Sequence, residues 1–159
     1  MTEQQKPAPL YTGMTLNTEA GFGLWMPSDW HKTKLTEEHK GFLFSPNPDD
    51  INTGLLAEKR KLKIKVKVDD LPVLREGFMD GIKALPGVEI EMQDENLTKG
   101  ISFFEARFTF LDGDVRRKRW IRNIYWNRTN YVVIAQGKTV EEFDYWLPMF
   151  YNTMMSIQV

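Results

Sequence analysis

The sequence predicts an α+β fold: an antiparallel, twisted sheet flanked by helices, with an N-terminal β-hairpin. Three observations carry that prediction. Two aromatic-rich segments, Ile101–Leu111 and Val115–Trp126, flank Asp112-Gly113, a two-residue hairpin signal whose glycine supplies the positive φ of a type I′ turn. The run YVVIA at 131–135 is apolar at every position, as in a central strand covered on both sides. Thr139-Val140-Glu141-Glu142 then has the spacing of a capping box and opens a stripe of Val140, Phe143, Leu147, Phe150, Met154 and Ile157. With 159 residues and 42% hydrophobic content, the chain suits one domain with a real core.

In chain order, residues 1–13 hold Pro7, Pro9 and Gly13 and read as a flexible lead, so a single domain is expected over 14–159. Two short strands follow between Met14 and Pro27, with Phe22 and Leu24 on one face. Residues 31–41 are polar and read as solvated, Phe42–Ser45 as a short strand, and Pro46–Asp50 as a loop. Lys61–Val68 alternates strictly, with four lysines opposite Leu62, Ile64, Val66 and Val68, and is expected to be an edge strand. Asp69-Asp70-Leu71-Pro72 starts a helix with an aspartate cap. Its stripe is Leu71, Leu74, Phe78, Ile82 and Leu85, and Gly77 and Gly81 suggest close approach to the sheet before Pro86-Gly87 ends it. Val88–Met92 alternates as a strand, and Pro148 is expected to kink the final helix.

Composition excludes several classes of function. Cysteine is absent, so disulfides and thiolate chemistry are excluded. With 21 basic and 22 acidic residues, the net charge of −1 offers no global attraction to nucleic acid or to an anionic membrane. No apolar run is long enough to span a membrane. The N-terminus lacks the pattern of a secretory signal, which points to the cytoplasm if Met1 is native and leaves the cell envelope open otherwise. Gly137-Lys138-Thr139 imitates the end of a phosphate-binding loop, but Val132 stands where that loop needs glycine, so a helix cap is the better reading. His31 and His39, Asp49-Asp50, and Ser45, Ser102 and Ser156 lack the context of a zinc, calcium or nucleophile site.

The opening phrase GFGLWMPSDW, the strand and helix ending in LPG, the three-strand meander and the helix after GKTVEEF resemble the Mog1/PsbP-like fold family, including bacterial DcrB/PsbP-like proteins. That resemblance implies an α/β/α sandwich in proteins that bind partners and do no chemistry. Plant and cyanobacterial relatives serve photosystem II, a eukaryotic one binds a small GTPase, and many bacterial ones carry lipoprotein or secretory signals. It transfers no functional residue by position.

The residues themselves nominate two surfaces. Basic and aromatic residues interleave along 116–128, and Arg117, Arg119, Trp120 and Arg122 are the candidate anchors for an acidic protein partner. Glu105 and Arg107 on the neighbouring strand are placed to pair with these cations, and an ordinary ion-paired hairpin is the competing reading. The alternative surface is an apolar groove between the last helix and the sheet, near Tyr145, Trp146 and Met149, for a small molecule. Of the five tryptophans, most are expected in the core and one or two at such a groove. The reading is a non-catalytic interaction or accessory module without cofactor or metal. Its expected partner is another protein rather than nucleic acid, and its expected state is a monomer or weak dimer.

Overall fold

The computed structural model describes residues 9, 13–35, 41–97 and 100–159. Most of the expected lead, and His39, lie outside them. Strands β1 (Met14–Asn17) and β2 (Leu24–Pro27) form the N-terminal hairpin. Then follow β3 (His31–Lys34), β4 (Gly41–Ser45), β5 (Gly54–Lys61), a 3-10 turn at Val68–Asp70 and α1 (Leu71–Lys83). The meander is β6 (Glu89–Asn96), β7 (Ser102–Asp112), β8 (Val115–Trp126) and β9 (Thr129–Gly137), and α2 (Val140–Met155) closes the chain. Among the described residues, the main sheet has seven strands in the order β3-β4-β5-β9-β8-β7-β6, every pair antiparallel.

The two helices cover opposite faces because cross-strand partners share a face and successive residues alternate. Phe104, Ala106, Phe108 and Phe110 of β7 meet the α1 stripe of Leu71, Leu74, Phe78, Ile82 and Leu85. Trp120 and Ile124 of β8, Tyr131, Val133 and Ala135 of β9, and Leu55 and Ala57 of β5 meet Phe143, Phe150 and Met154 of α2. The expected apolar run at 131–135 is the middle strand of the sheet, buried on both sides. Thr139 caps α2, its Oγ1 accepting the Glu142 N–H at 3.1 Å. Pro148 lies inside α2, and the helix continues through it to Met155.

Several local expectations are corrected. The strand expected at Lys61–Val68 lies upstream, at Gly54–Lys61. Leu62 and Val66 are held by N–H bonds to the carbonyls of Arg128 and Asn127, and Ile64 is left 69% exposed. Alternation is therefore present in 61–68, but no neighbouring strand uses it. The segment is also not at an edge; the edges are β3 and β6. The polar residues 31–34 form edge strand β3, with every side chain exposed as predicted for a solvated segment. The hairpin loop is Gly113-Asp114, because Asp112 pairs with Val115. Only Gly113 takes a positive φ (61°), the pattern of a type II′ rather than a type I′ turn.

At the start of α1, Asp70 does not cap forward; its Oδ2 accepts the Lys67 N–H at 2.8 Å. Gly77 and Gly81 do not approach the sheet. Both are exposed, and an added Cβ would have no atom within 4 Å among the described residues. Alanine at each site should therefore stabilise the protein by about 1 kcal/mol, since glycine inside a helix carries that penalty. Urea denaturation of G77A and G81A measures it, and an unchanged midpoint in both variants contradicts the open-space geometry.

Candidate functional site

The basic-aromatic hairpin does not present one surface. Register sends Arg117 and Arg119 to the α1 side of the sheet and Trp120 and Arg122 to the opposite face, under and beside α2. Arg117 donates to Asp112 Oδ2 at 2.8 Å and to the Lys138 carbonyl at 3.0 Å. Arg119 donates through Nε to Gln136 Oε1 at 2.9 Å and stacks 4.6 Å from the Phe110 ring. Burial lowers the Arg119 pKa from the usual guanidinium value, partly offset by Asp112. Trp120 is only 2% exposed, so it is part of the core and not a surface anchor.

Trp120 and Arg122 nevertheless belong to one polar cluster. On the α2 side, Glu105 faces Arg122 across the β7–β8 ladder, and Arg107 faces Trp120. Glu105 Oε2 accepts the Trp120 Nε1–H at 2.9 Å and lies 3.1 Å from Arg122 Nε. The latter contact is an ion pair without hydrogen-bond alignment, because Arg122 Nε is a buried donor with no bonded acceptor. Arg122 also donates to the Met154 carbonyl at 2.8 Å and stacks 4.7 Å from the Phe103 ring. The Arg107 guanidinium lies 5.3 Å from the Trp120 ring, with its Nε buried, 3.8 Å from Glu91 Oε2 and without a hydrogen bond. Lys118 Nζ bridges Glu91 at 3.1 Å and Asp144 of α2 at 2.9 Å.

This cluster floors a shelf. α2 lies over β8 and β9, and among the described residues no helix covers β6 and β7 on the same face. Tyr151 of α2 forms the wall, its ring 6.4 Å from that of Trp120 and its surface 54% exposed. Met155 is one turn further along the same helix face and is also exposed. The shelf therefore joins paired and stacked charges to exposed apolar side chains, an arrangement suited to binding. Glu105 and Arg107 were legible as pairing candidates; Tyr151 and Met155 were not singled out. Their signal is an apolar i, i+4 pair lying off the buried stripe of α2.

The second candidate surface is reshaped. Trp146, Met149 and Thr153 form one stripe of α2, continued by Ser156 at its C-cap, and β2 packs against its C-terminal end. Thr153 Oγ1 donates to the Trp25 carbonyl at 2.7 Å, and Ser156 Oγ accepts the Trp25 N–H at 3.0 Å. Met149 is buried, while Tyr145 and Trp146 pack edge to face at 4.9 Å. Trp146 also meets Trp30 edge to face at 5.6 Å, and the two line a cleft of about 340 Å³ with Asp29, Asp50, Thr53 and Glu142. Tyr145 and Met149 do not line that cleft.

Gly137, in the stretch that imitates a phosphate loop, answers to packing: an added Cβ would lie 2.3 Å from the Phe143 nitrogen. His31 is exposed on β3, Asp50 Oδ1 accepts the Asn52 N–H, and Ser45 Oγ donates to the Asn47 carbonyl. Among the described residues, no group of three or more His, Cys, Asp or Glu side chains converges as a metal site. No described helix is long and apolar enough to cross a membrane.

An antiparallel sheet between two helices with an N-terminal hairpin defines the class: the chain has the PsbP/Mog1-like fold. It is similar to the cyanobacterial PsbP protein CyanoP of Synechocystis, with a TM-score of 0.62 over 99% of this chain and 98% of that one, at 11% identity. It is also similar to LpqN of Mycobacterium tuberculosis, a protein involved in cell envelope biogenesis, with a TM-score of 0.59 over 98% and 87% of the two chains, at 13% identity. At these identities the likeness is one of fold. No protein-family model and no curated protein matches the sequence.

Proposed function

We propose that the protein is a non-catalytic accessory module that holds a protein partner on the shelf between α2 and β6. The observation that carries this reading is the Arg107 guanidinium on Trp120, with an unbonded buried Nε, beside exposed Tyr151 and Met155. Arginine and aromatic side chains in a partly dry setting supply most of the affinity at protein interfaces. A carboxylate on the partner would take the guanidinium's remaining donors, and an apolar side chain would cover Tyr151. Of the four anchors named from sequence, Arg122 and Trp120 act here as the floor. Arg117 and Arg119 would contribute only to a separate contact on the opposite face. The likeness to a protein of cell envelope biogenesis supports seeking the partner at the envelope as well as in the cytoplasm.

A photo-crosslinking residue placed at Tyr151 in the protein's own cells tests the reading. One discrete adduct is expected, absent when Arg107→Glu is added and absent when the crosslinker sits at exposed Val73 on α1. The same adduct from Val73, or one that survives Arg107→Glu, removes the shelf from consideration.

A further inference from the structure

Away from the shelf, on the α1 side, a cavity of about 300 Å³ opens between residues 65–71, the start of β7 and the end of β8. We propose that it binds a small organic anion with a flat apolar body, such as an aromatic carboxylate. Its size is at the low end of ligand sites, which run from about 300 to 1,000 Å³. Leu71 and Tyr125 give it buried apolar walls, and Trp126, 42% exposed, also lines it.

Lys65 and Lys67 also line it, and both are exposed. Neither ammonium has an ion-pair or hydrogen-bond partner among the described residues, whereas Lys32 and Lys118 each have a carboxylate. Two like charges at one opening raise the local potential for an anion, and the Tyr125 wall offers an aromatic surface for its flat body.

The wall that carries the lysines is fixed rather than loose. Leu62 N–H bonds the Arg128 carbonyl at 2.7 Å, Val66 N–H the Asn127 carbonyl at 3.1 Å, and Lys67 N–H the Asp70 carboxylate at 2.8 Å. Asn127, whose carbonyl takes the Val66 N–H, holds φ at 55° in the β8–β9 corner. Through these bonds the irregular segment is held against the β8–β9 corner, with Lys65, Val66 and Lys67 along the cavity. A pre-formed wall lowers the ordering cost of binding. This inference does not depend on the shelf being a partner surface.

The experiment is an amide NMR titration of the whole chain with 2-naphthoate, using neutral 2-naphthol and inorganic phosphate as comparison probes. Saturable shifts are expected at residues 65–71, 102 and 125–127, with naphthoate binding tighter than either comparison. The double variant Lys65→Gln, Lys67→Gln keeps the exposed backbone intact and should weaken naphthoate about tenfold while leaving naphthol unchanged, as two lost surface charge contacts require. Trp126→Ala should weaken both aromatic probes. Shifts centred elsewhere, equal naphthoate affinity in the lysine variant, or failure to saturate each overturn the proposal.

Discussion

Replacing Glu105 by alanine is expected to lower stability by about 3–5 kcal/mol, because it removes one partner from a buried charge pair. The Glu105 side chain is 7% exposed and that of Arg122 14%. One carboxylate oxygen serves both Arg122 and the Trp120 indole, so its loss leaves a guanidinium with only the Met154 carbonyl and leaves a buried N–H with nothing. Glu105→Gln should lie between, since an amide oxygen can still accept from Trp120. The double change Glu105→Leu, Arg122→Met should recover most of the loss, because two apolar groups leave no charge stranded. Urea denaturation of the parent and the three variants measures these differences. A loss below about 1 kcal/mol for the alanine variant would show the pair to be hydrated like an ordinary surface bridge.

Gly137→Ala should be comparably damaging, by about 3 kcal/mol or more, through overpacking rather than loss of contact. The added methyl would sit 2.3 Å from the Phe143 nitrogen and 2.6 Å from its Cα, so the first turn of α2 must lift off the sheet. Phe143 is fully buried beneath that turn, and the Thr139 cap lies within it. The sign is opposite to that at Gly77 and Gly81, where the same methyl meets open space. A thermal melt of G137A within a few degrees of the parent would contradict the tight contact between β9 and α2.

These cases show what can be read from the residues and what cannot. The meander, the central strand and the capped helix are legible because each is local: a turn glycine, an unbroken apolar run, a threonine three residues before a glutamate. β5 is not. Gly54–Lys61 begins apolar on both faces with Leu55, Leu56 and Ala57 and ends charged, so no period marks it. Its identity follows from β9 needing a second neighbour, a fact of topology. Lys61–Val68 shows the reverse, a clear period with no strand to pair it. The hairpin cations were legible as a cluster, but alternation divides Arg117 and Arg119 from Trp120 and Arg122, and only the register decides which side meets α2. Tyr151 and Met155 become a site only once α2 is seen to leave β6 and β7 uncovered.

The placement of β9 has a consequence for how the chain is made. It is made after the other six strands of this sheet, yet it joins β3-β4-β5 on one side to β6-β7-β8 on the other. Until residues 129–137 emerge, the nascent chain can hold only two partial sheets, each with an open inner border and no roof from α2. Closure is thus a late, long-range event, which favours slow maturation and makes the unfinished polypeptide the most aggregation-prone form of this protein.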